Sequence, residues 1–378
     1  MRRAIETISM HFVMATTLLL PIHAKADDDV NHNARAVFIM SNSIDRNEVI
    51  AFAPAADGTL TESGKFQTGG RGSGGNNDPL ESQGSLTLSQ DHSLLFAVNA
   101  GSGEISVFRV HGTNLVLSDK VRSEGSEPNA IAQHGNLVYA LNTGGSSNVA
   151  GFVLEGDHLR YIKNSLSFLS TNTSGAASIA FSPDGNFLVV TERLTNDIDV
   201  FKVQADGTLS PIVINPSAGP GAFSVSFAPN GVALVSETGP ANVSNGSAIS
   251  SYAILANGTL SAISASIPTL GAANCWNAVT PDGRFVYVSN AGSSTVSAFA
   301  ISSTGTLSAL PGTVVGENPA GATNLDLTIS ADGKFLFTLN SADGTIGTFV
   351  IQKDGTLKTL GSSSGFSPNS GFNGIAAN

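Results

Sequence analysis

The fold is decided by residues 177–214, which read ASIAFSPDGNFLVVTERLTNDIDVFKVQADGTLSPIVI. Short apolar runs alternate here with turn signals, a Ser-Pro-Asp-Gly turn first and an Asp-Gly-Thr-Leu turn later. Asp-Gly and Asn-Gly pairs tolerate positive φ and close antiparallel hairpins. The stretch therefore predicts four consecutive antiparallel strands, which is the unit of a propeller blade.

The same unit recurs along the whole chain. The first turn has copies at 182–185 (SPDG), 228–231 (APNG), 280–283 (TPDG) and 330–333 (SADG), with a degenerate one at 89–92 (SQDH). The second turn has copies at 57–60 (DGTL), 206–209 (DGTL), 257–260 (NGTL), 304–307 (TGTL) and 354–357 (DGTL). Self-similarity at a fixed period is the signature of a repeat architecture.

The end of the second strand can be counted seven times, at Asn42, Asn99, Asn142, Glu192, Glu237, Asn290 and Asn340. The mean spacing is about 50 residues, as expected for a four-stranded blade. The first copy lacks its innermost strand, and the C-terminal segment 371–378 (GFNGIAAN) has the pattern of that strand. We therefore predict an all-β, seven-bladed propeller over residues 36–378, closed by the C-terminal strand joining the N-terminal blade. The alternative is an open array of β-sandwiches.

Composition agrees with this prediction and excludes several classes of protein. The 378 residues include 41 glycines and are 41% hydrophobic but only 12% charged, which excludes a disordered chain and a coiled coil. A net charge of −11 is unlike that of a nucleic-acid binder. The single cysteine, Cys275, excludes internal disulfides and sites built from several cysteines.

The first 26 residues have the pattern of a signal peptide. Arg2 and Arg3 precede an apolar run over 10–22, and Ala24-Lys25-Ala26 has the small residues of a cleavage site. An uncleaved anchor is the alternative, but the run is short and Pro21 interrupts it. We expect cleavage, a flexible tail over 27–35, and a monomer that is periplasmic or secreted and has no membrane contact.

The strand order divides the loops between two faces. The short turns listed above share one face, here named the short-turn face. The second-to-third loops and the connections between blades share the other, here named the connector face. Its long segments are expected at 69–84, 237–248 and 310–322. Insertions collected on one face of a repeat protein indicate a binding face.

Several polar side chains are expected at the channel mouth on the connector face. Glu192, Arg193 and Glu237 end second strands where other blades carry amides, so we predict them as catalytic residues. The predicted substrate-binding residues are Trp276, Asn277, Asn290, Asn99 and Asn142. Structural alternatives stay open: an asparagine can bond its own loop, a glutamate can pair with the arginine, and the tryptophan can pack between blades.

Histidine is expected to be absent from this mouth. His92, His111, His134 and His158 fall at or beside the short turns on the opposite face. A histidine-based triad or metal site is therefore not predicted, and any general base at the mouth should be a carboxylate with a raised pKa. We predict no cofactor, although Glu and Asn side chains could hold a divalent cation in the channel.

The repeated SPDG and DGTL segments, with an apolar strand ending in Asn between them, resemble the seven-bladed propeller lactonase family. That family includes 6-phosphogluconolactonases and carboxymuconate-lactonizing cyclases, and the resemblance covers about the whole chain after residue 26. It implies an active site at one end of the central channel that uses acidic, arginine and histidine side chains. Glu192, Arg193 and Glu237 could fill the first two roles, whereas the histidine is missing.

These observations predict an exported lactonase- or cyclase-like enzyme that acts on a small lactone or carboxylate. Arg193 would bind a carboxylate or polarise the ester carbonyl, and Glu192 or Glu237 would act as general base. The alternative from another class is a non-catalytic propeller that serves as a binding scaffold.

Overall fold

The computed structural model describes residues 35–241 and 243–378, and these residues form strands and turns without a helix. The predicted signal peptide and most of the predicted tail lie outside the described residues. No helix in the described residues is long and apolar enough to cross a membrane.

Seven antiparallel sheets form the blades, and each blade is numbered from its position along the chain. The innermost strands of blades 2 to 7 and then of blade 1 are β4 (Leu86–Leu88), β8 (Ser126–His134), β13 (Ala176–Phe181), β17 (Ala222–Phe227), β21 (Asn274–Val279), β25 (Asn324–Ile329) and β29 (Asn373–Ala377). Each innermost strand contacts the next around a complete ring.

The second strands of blades 1 to 7 are β1 (Val37–Met40), β5 (Leu94–Asn99), β9 (Leu137–Gly144), β14 (Phe187–Glu192), β18 (Ala233–Glu237), β22 (Phe285–Asn290) and β26 (Phe335–Asn340). The third strands are β2 (Glu48–Pro54), β6 (Glu104–His111), β10 (Asn148–Glu155), β15 (Asp197–Lys202), β19 (Ala248–Ile254), β23 (Thr295–Ile301) and β27 (Thr345–Ile351).

The outermost strands are β3 (Leu60–Gln67), β7 (Asn114–Arg122), β11 (His158–Tyr161) with β12 (Ser167–Phe168), β16 (Val213–Pro216), β20 (Leu260–Pro268), β24 (Leu307–Glu317) and β28 (Leu357–Ser364). In blade 3 this strand is interrupted, and both of its pieces pair with β10.

The ring closes as predicted from the sequence. β29 pairs antiparallel with β1, with Val37 opposite Ala377 and Ile39 opposite Ile375. The backbone amide of Ala36 donates to Asn378 Oδ1 at 2.6 Å, which fixes the end of the chain beside the start of the propeller. The N-terminal blade is therefore completed by the C-terminal strand, and the prediction of closure is confirmed.

The long connector-face segments are partly as expected. Residues 68–85 join β3 to β4, and residues 238–247 join β18 to β19, so two of the three predicted loops are present. The third expectation was wrong, because most of 310–322 belongs to the eleven-residue strand β24. Pairing with β23 continues across its Pro-Gly segment through shifts in register, which a sequence pattern of turn residues hides.

Candidate active site

The central channel is a cavity of about 460 Å³ lined by the innermost strands. Gln90, His134, Pro183 and Pro281 form its rim at the short-turn face, and Asp326 lies toward the opposite end. The channel therefore opens on the face opposite to the one predicted from loop lengths. His134, which the sequence placed on that face, is a rim residue.

The connector-face end of the channel is closed by residues 78–83 of the connection between β3 and β4, here named the plug. The backbone amide of Gln83 donates to Ala177 O at 2.9 Å, and its Nε2 donates to Asn277 O at 2.9 Å. Ser82 Oγ donates to Asn129 O at 2.8 Å. The plug is thus bonded to innermost strands of three blades, and it makes the channel blind at this end.

Asp326 stands at the blind end, on β25. It is 3% exposed and has a left-handed backbone (φ 44°) at a break in the register between Leu325 and Leu327. Desolvation raises the pKa of its carboxyl to about 7, although the backbone amides of Leu327 and Ile375 donate to it. Gln83 Nε2 lies 3.4 Å from Oδ1. A carboxyl group with this pKa can accept or donate a proton near neutral pH.

A second polar group consists of two plug residues, Asp78 and Glu81, and their neighbours. Asp78 accepts a hydrogen bond from Asn373 Nδ2 at 2.9 Å, and desolvation raises the pKa of its carboxyl to about 7. Arg193, whose side chain is 28% exposed, forms an ion pair with Glu81 of the plug. The nearby thiol of Cys275 is buried, and desolvation raises its pKa well above the ordinary value, so it is unreactive as a thiolate.

The indole of Trp276 supports the plug and offers no open platform. It is 1% exposed, packs edge-on against Phe223 with ring centroids 5.2 Å apart, and donates from Nε1 to Ser82 O at 2.9 Å. Asn277 is also buried; its side chain donates to Ser224 Oγ at 2.8 Å. Among the predicted binding residues, these two contact the channel region, and they do so by holding the plug.

The predicted asparagines occupy a repeated structural position, here named the latch, at the end of the second strand. Asn99, Asn142 and Asn290 are each 0% exposed. Thr68 Oγ1 donates to Asn99 Oδ1 at 2.6 Å, and Asn142 Nδ2 donates to Ser123 O at 3.1 Å. Asn99 and Asn142 therefore tie the incoming connector to their blades, whereas Asn290 Nδ2 donates to Ser297 Oγ at 2.9 Å within its own blade. None of the three lines the channel.

Glu192 and Glu237 are latches too, in blades 4 and 5. Both are 0% exposed. Glu192 Oε1 accepts from the amide of Ser170 at 3.0 Å, and Glu237 Oε1 accepts from the amide of Gly219 at 3.0 Å. Neither lines the channel, and Arg193 pairs with Glu81 rather than with either of them. The three predicted catalytic residues thus do not lie together in the structure. The catalytic roles of Glu192 and Glu237 stay predictions, and neither side chain lines the channel.

Glycines on the connectors explain why the latch fits. A Cβ added to Gly70 would lie 2.4 Å from Asn99 Cγ, and one added to Gly125 would lie 2.5 Å from Asn142 Cγ. Glu237 packs against Gly219 in the same way. The connector reads Ser or Thr, any residue, then Gly at 68–70, 123–125, 217–219 and 269–271. This short repeat was available in the sequence and marks the latch as structural.

Two overlapping segments of the chain, 146–269 and 247–370, match the family described as lactonase, 7-bladed beta-propeller. The chain belongs to this lactonase family. No curated protein sequence matches it. The predicted resemblance is therefore confirmed at the level of the family.

Solved structures share the propeller of this lactonase-family chain. A candidate 6-phosphogluconolactonase from Bacteroides uniformis has a TM-score of 0.69 at 18% identity, covering 92% of this chain and 100% of that one. The periplasmic gluconolactonase PpgL from Pseudomonas aeruginosa has a TM-score of 0.66 at 18% identity, covering 91% and 99%. A functionally unknown protein from Desulfotomaculum acetoxidans has a TM-score of 0.69 at 17% identity, covering 91% and 99%. At these identities the likeness concerns the fold.

Sequence reasoning missed Asp78 and Asp326, the two carboxyl groups with pKa values raised to about 7. A signal existed for Asp326, because β25 reads NLDLTI and carries a carboxylate inside an otherwise apolar innermost strand. Asp78 gave none, since it lies in a glycine-rich loop. Within the part of the chain that the structure describes, no three His, Cys, Asp or Glu residues gather as metal ligands.

Proposed function

We propose that this protein hydrolyses a small, uncharged lactone in its central channel, with Asp326 as general base. The observation that carries the proposal is a buried carboxyl group with a pKa of about 7 at the blind end of a 460 Å³ cavity. Membership of the lactonase family supports this class of reaction. The apolar lining from Ile131, Ile179 and Val225 favours a substrate without charge.

The proposed reaction uses the carboxylate twice. Asp326 takes a proton from water, and the water oxygen forms a bond to the lactone carbonyl carbon. The ring C–O bond then breaks, and the protonated Asp326 returns the proton to the leaving alkoxide. The hydroxyl groups of Ser178 and Thr328 line the same channel and can donate to the carbonyl oxygen. Gln83, bonded to Asp326 and Asn277, fixes the position of the base.

This assignment moves the base away from the residues expected from the sequence. Glu192 and Glu237 are enclosed by connector atoms, so a substrate cannot approach their oxygens without displacing a connector. Arg193 lies on the outer side of the plug and is paired with Glu81. We therefore propose that Arg193 holds the plug closed and does not polarise the substrate carbonyl.

Asp326→Asn tests the proposal. Loss of the base should lower kcat on reactive lactones by about 100-fold or more, with little change in the melting temperature, because the amide keeps the size of the side chain. In the wild type, the rate should fall as the pH drops below about 7, where Asp326 becomes protonated. Asp354→Asn, on an exposed hairpin, is the matched control.

Glu192→Gln and Glu237→Gln separate the two versions of the site. Activity that survives in Asp326→Asn but disappears in a folded Glu237→Gln would reject Asp326 and restore the sequence-based assignment. Activity that is absent from the wild-type protein across a panel of lactones would favour the alternative, a propeller that binds a ligand without turnover. The plug is the feature that favours a binding propeller, because it closes one of the two channel openings.

We also propose that the protein is exported as a monomer. The support is the signal-peptide pattern over 1–26 and the shared fold with a periplasmic gluconolactonase. Expression in a bacterial host should give a periplasmic protein whose first residue is Asp27, as measured by intact mass. A mass that retains residues 1–26 would contradict cleavage, and a dimer in light scattering would contradict the monomer.

A further inference from the structure

A second cavity lies on the connector face, outside the channel. It has a volume of about 760 Å³ and is lined by residues 44, 71–73, 100–103, 122 and 124–127, which belong to loops and connections of blades 1, 2 and 3. We name it the side groove. None of its lining residues takes part in the site proposed above.

Two arginines that form no ion pair in the described part of the chain line this groove. The structure describes eight arginines, and six of them form ion pairs with carboxylates. The other two are Arg71 and Arg122, and both line the side groove. Glu104 lies opposite Arg122 in the sheet, but its carboxylate is bonded to Lys120 at 2.7 Å. Glu104 interacts with Arg122 through its charge alone, so neither guanidinium group of the groove is held in an ion pair among the described residues.

Two carboxylates of the groove are also without an ion pair among the described residues. Glu124 and Glu127 both have left-handed backbones, with φ of 62° and 52°. In blades 4 and 5 the position of Glu127 is occupied by Gly175 and Gly221, and in blades 6 and 7 by Ala273 and Thr323, which are also left-handed. The backbone conformation is therefore a repeated feature of the blades, and blade 3 differs in placing a carboxylate there, in the lining of the side groove.

The floor of the groove is rigid. Arg71 is held at both backbone groups, because its amide donates to Ser102 Oγ at 3.0 Å and its carbonyl accepts from the amide of Gly101 at 3.0 Å. A Cβ added to Gly101 would lie 2.0 Å from the carbonyl oxygen of Gly72, so the two loops are in close contact. A site held in this way loses little entropy when a ligand binds.

We infer that the side groove is a binding site for an acidic saccharide, a ligand that carries both a carboxylate and several hydroxyl groups. Guanidinium groups bind carboxylates through paired hydrogen bonds, which assigns Arg71 and Arg122 to the acid group. Carboxylates accept hydrogen bonds from sugar hydroxyls, which assigns Glu124 and Glu127 to the rest of the ring. The hydroxyl of Ser126, between them, adds a donor and an acceptor.

Calorimetry of the full chain with glucuronate, glucose and acetate tests the inference. Glucuronate should bind at least about tenfold more tightly than either glucose, which has the hydroxyls alone, or acetate, which has the carboxylate alone. Arg71→Ala and Arg122→Ala should each weaken glucuronate binding by about tenfold. Glu124→Ala and Glu127→Ala should weaken glucuronate binding without weakening acetate binding.

Two controls locate the site. Arg284→Ala removes an ion-paired arginine on the short-turn face and should leave glucuronate affinity unchanged. Asp326→Asn should also leave it unchanged, whatever it does to lactone turnover, so failure here and failure of the proposed hydrolase can be told apart. Equal affinity for acetate and glucuronate would overturn the inference, and so would binding that survives Arg71→Ala in a folded protein. Tighter binding of alanylalanine, which carries an ammonium group and a carboxylate but no hydroxyl groups, would also overturn it.

Discussion

At the scale of single residues, blade 4 differs from the others in holding two buried acids where blade 2 has Asn99 and Ser106. The matching residues are Glu192 and Asp199, both 0% exposed. Desolvation, together with the neighbouring carboxyl group of Glu192, raises the pKa of Asp199 to about 9. Asp199 is therefore protonated at neutral pH, and its uncharged carboxyl group occupies the place of the serine side chain.

The raised pKa makes stability depend on pH. The folded protein holds the Asp199 proton more tightly than the unfolded chain, so its contribution to the free energy of unfolding is fully present below the ordinary value of 3.8 and is lost as the pH rises toward about 9. Asp199→Asn should remove this loss, because an amide stays uncharged at every pH. The variant should gain melting temperature relative to the wild type between pH 7 and about 9.5.

Thermal unfolding at several pH values measures this difference, with Asp45→Asn as the control that removes an exposed carboxylate. Asp78 and Asp326 have pKa values raised to about 7 and lower the stability with rising pH in the same way. The test therefore compares the pH dependence of the melting temperature in Asp199→Asn with that in the wild type. A pH dependence that is identical in Asp199→Asn and in the wild type would contradict the buried pair.

At the scale of elements, each blade is attached to the previous one by a connector that passes under a latch side chain. In blades 2, 3, 5 and 6 the latch packs against a connector residue without a Cβ, namely Gly70, Gly125, Gly219 and Gly271. In blade 4 the connector reads Ser-Thr-Asn at 170–172, without this glycine. Thr68 Oγ1 and the amide of Gly219 donate to the latch side chains Asn99 and Glu237, and Asn142 donates to the carbonyl of Ser123, so connector polar groups are satisfied by the latch. The polar residue at the end of the second strand therefore serves the assembly of the ring.

Gly125→Ala tests the latch. The added methyl would meet Asn142 at 2.5 Å from Cγ, and the resulting overpacking should cost about 1–3 kcal/mol and lower the melting temperature by a few degrees. Gly145→Ala is the control, since Gly145 has a left-handed backbone (φ 68°) but nothing within 4 Å of the added carbon. A larger loss in Gly145→Ala than in Gly125→Ala would show that backbone conformation, and not latch packing, limits these positions.

At the scale of the whole molecule, stability depends on closing the ring. β29 supplies the innermost strand of blade 1, and its Ile375 packs with Ile39 and Phe337 between blades 1 and 7. Without β29, the strand β1 would present an unpaired edge to the channel. An open, apolar edge of this kind pairs with other chains.

Deleting residues 372–378 should therefore abolish monomeric folding. The expected product elutes as aggregate in size-exclusion chromatography and lacks a cooperative melting transition, because both the strand and the cluster beside it are lost. Removing Asn378 alone keeps β29 and should cost little more than the two hydrogen bonds with Ala36. A truncated protein that stays monomeric and melts cooperatively would contradict closure by the C-terminal strand.

The sequence by itself determined the architecture, because the turns that end each strand are local. Pro-Asp-Gly and Gly-Thr-Leu segments act through the φ of a few adjacent residues, so their period gives the number of blades and the missing strand at the start. The same repeated segments also identify the lactonase family. The repeat also identifies the asparagines at the ends of the second strands. It does not decide between a binding role and a structural role, because that depends on what the folded chain places around each side chain.

The site was decided only by the tertiary structure. Only two residues separate the plug from β4 in the chain, yet the plug contacts strands of blades 3, 4 and 6, and no local pattern encodes that crossing. It turned the predicted mouth into a closed end and moved the opening to the short-turn face. Burial, which belongs to the assembled ring, raised the pKa of Asp326 and enclosed Glu192 and Glu237. Residue type shows which groups can do chemistry, but their solvation and their neighbours depend on how distant blades come together.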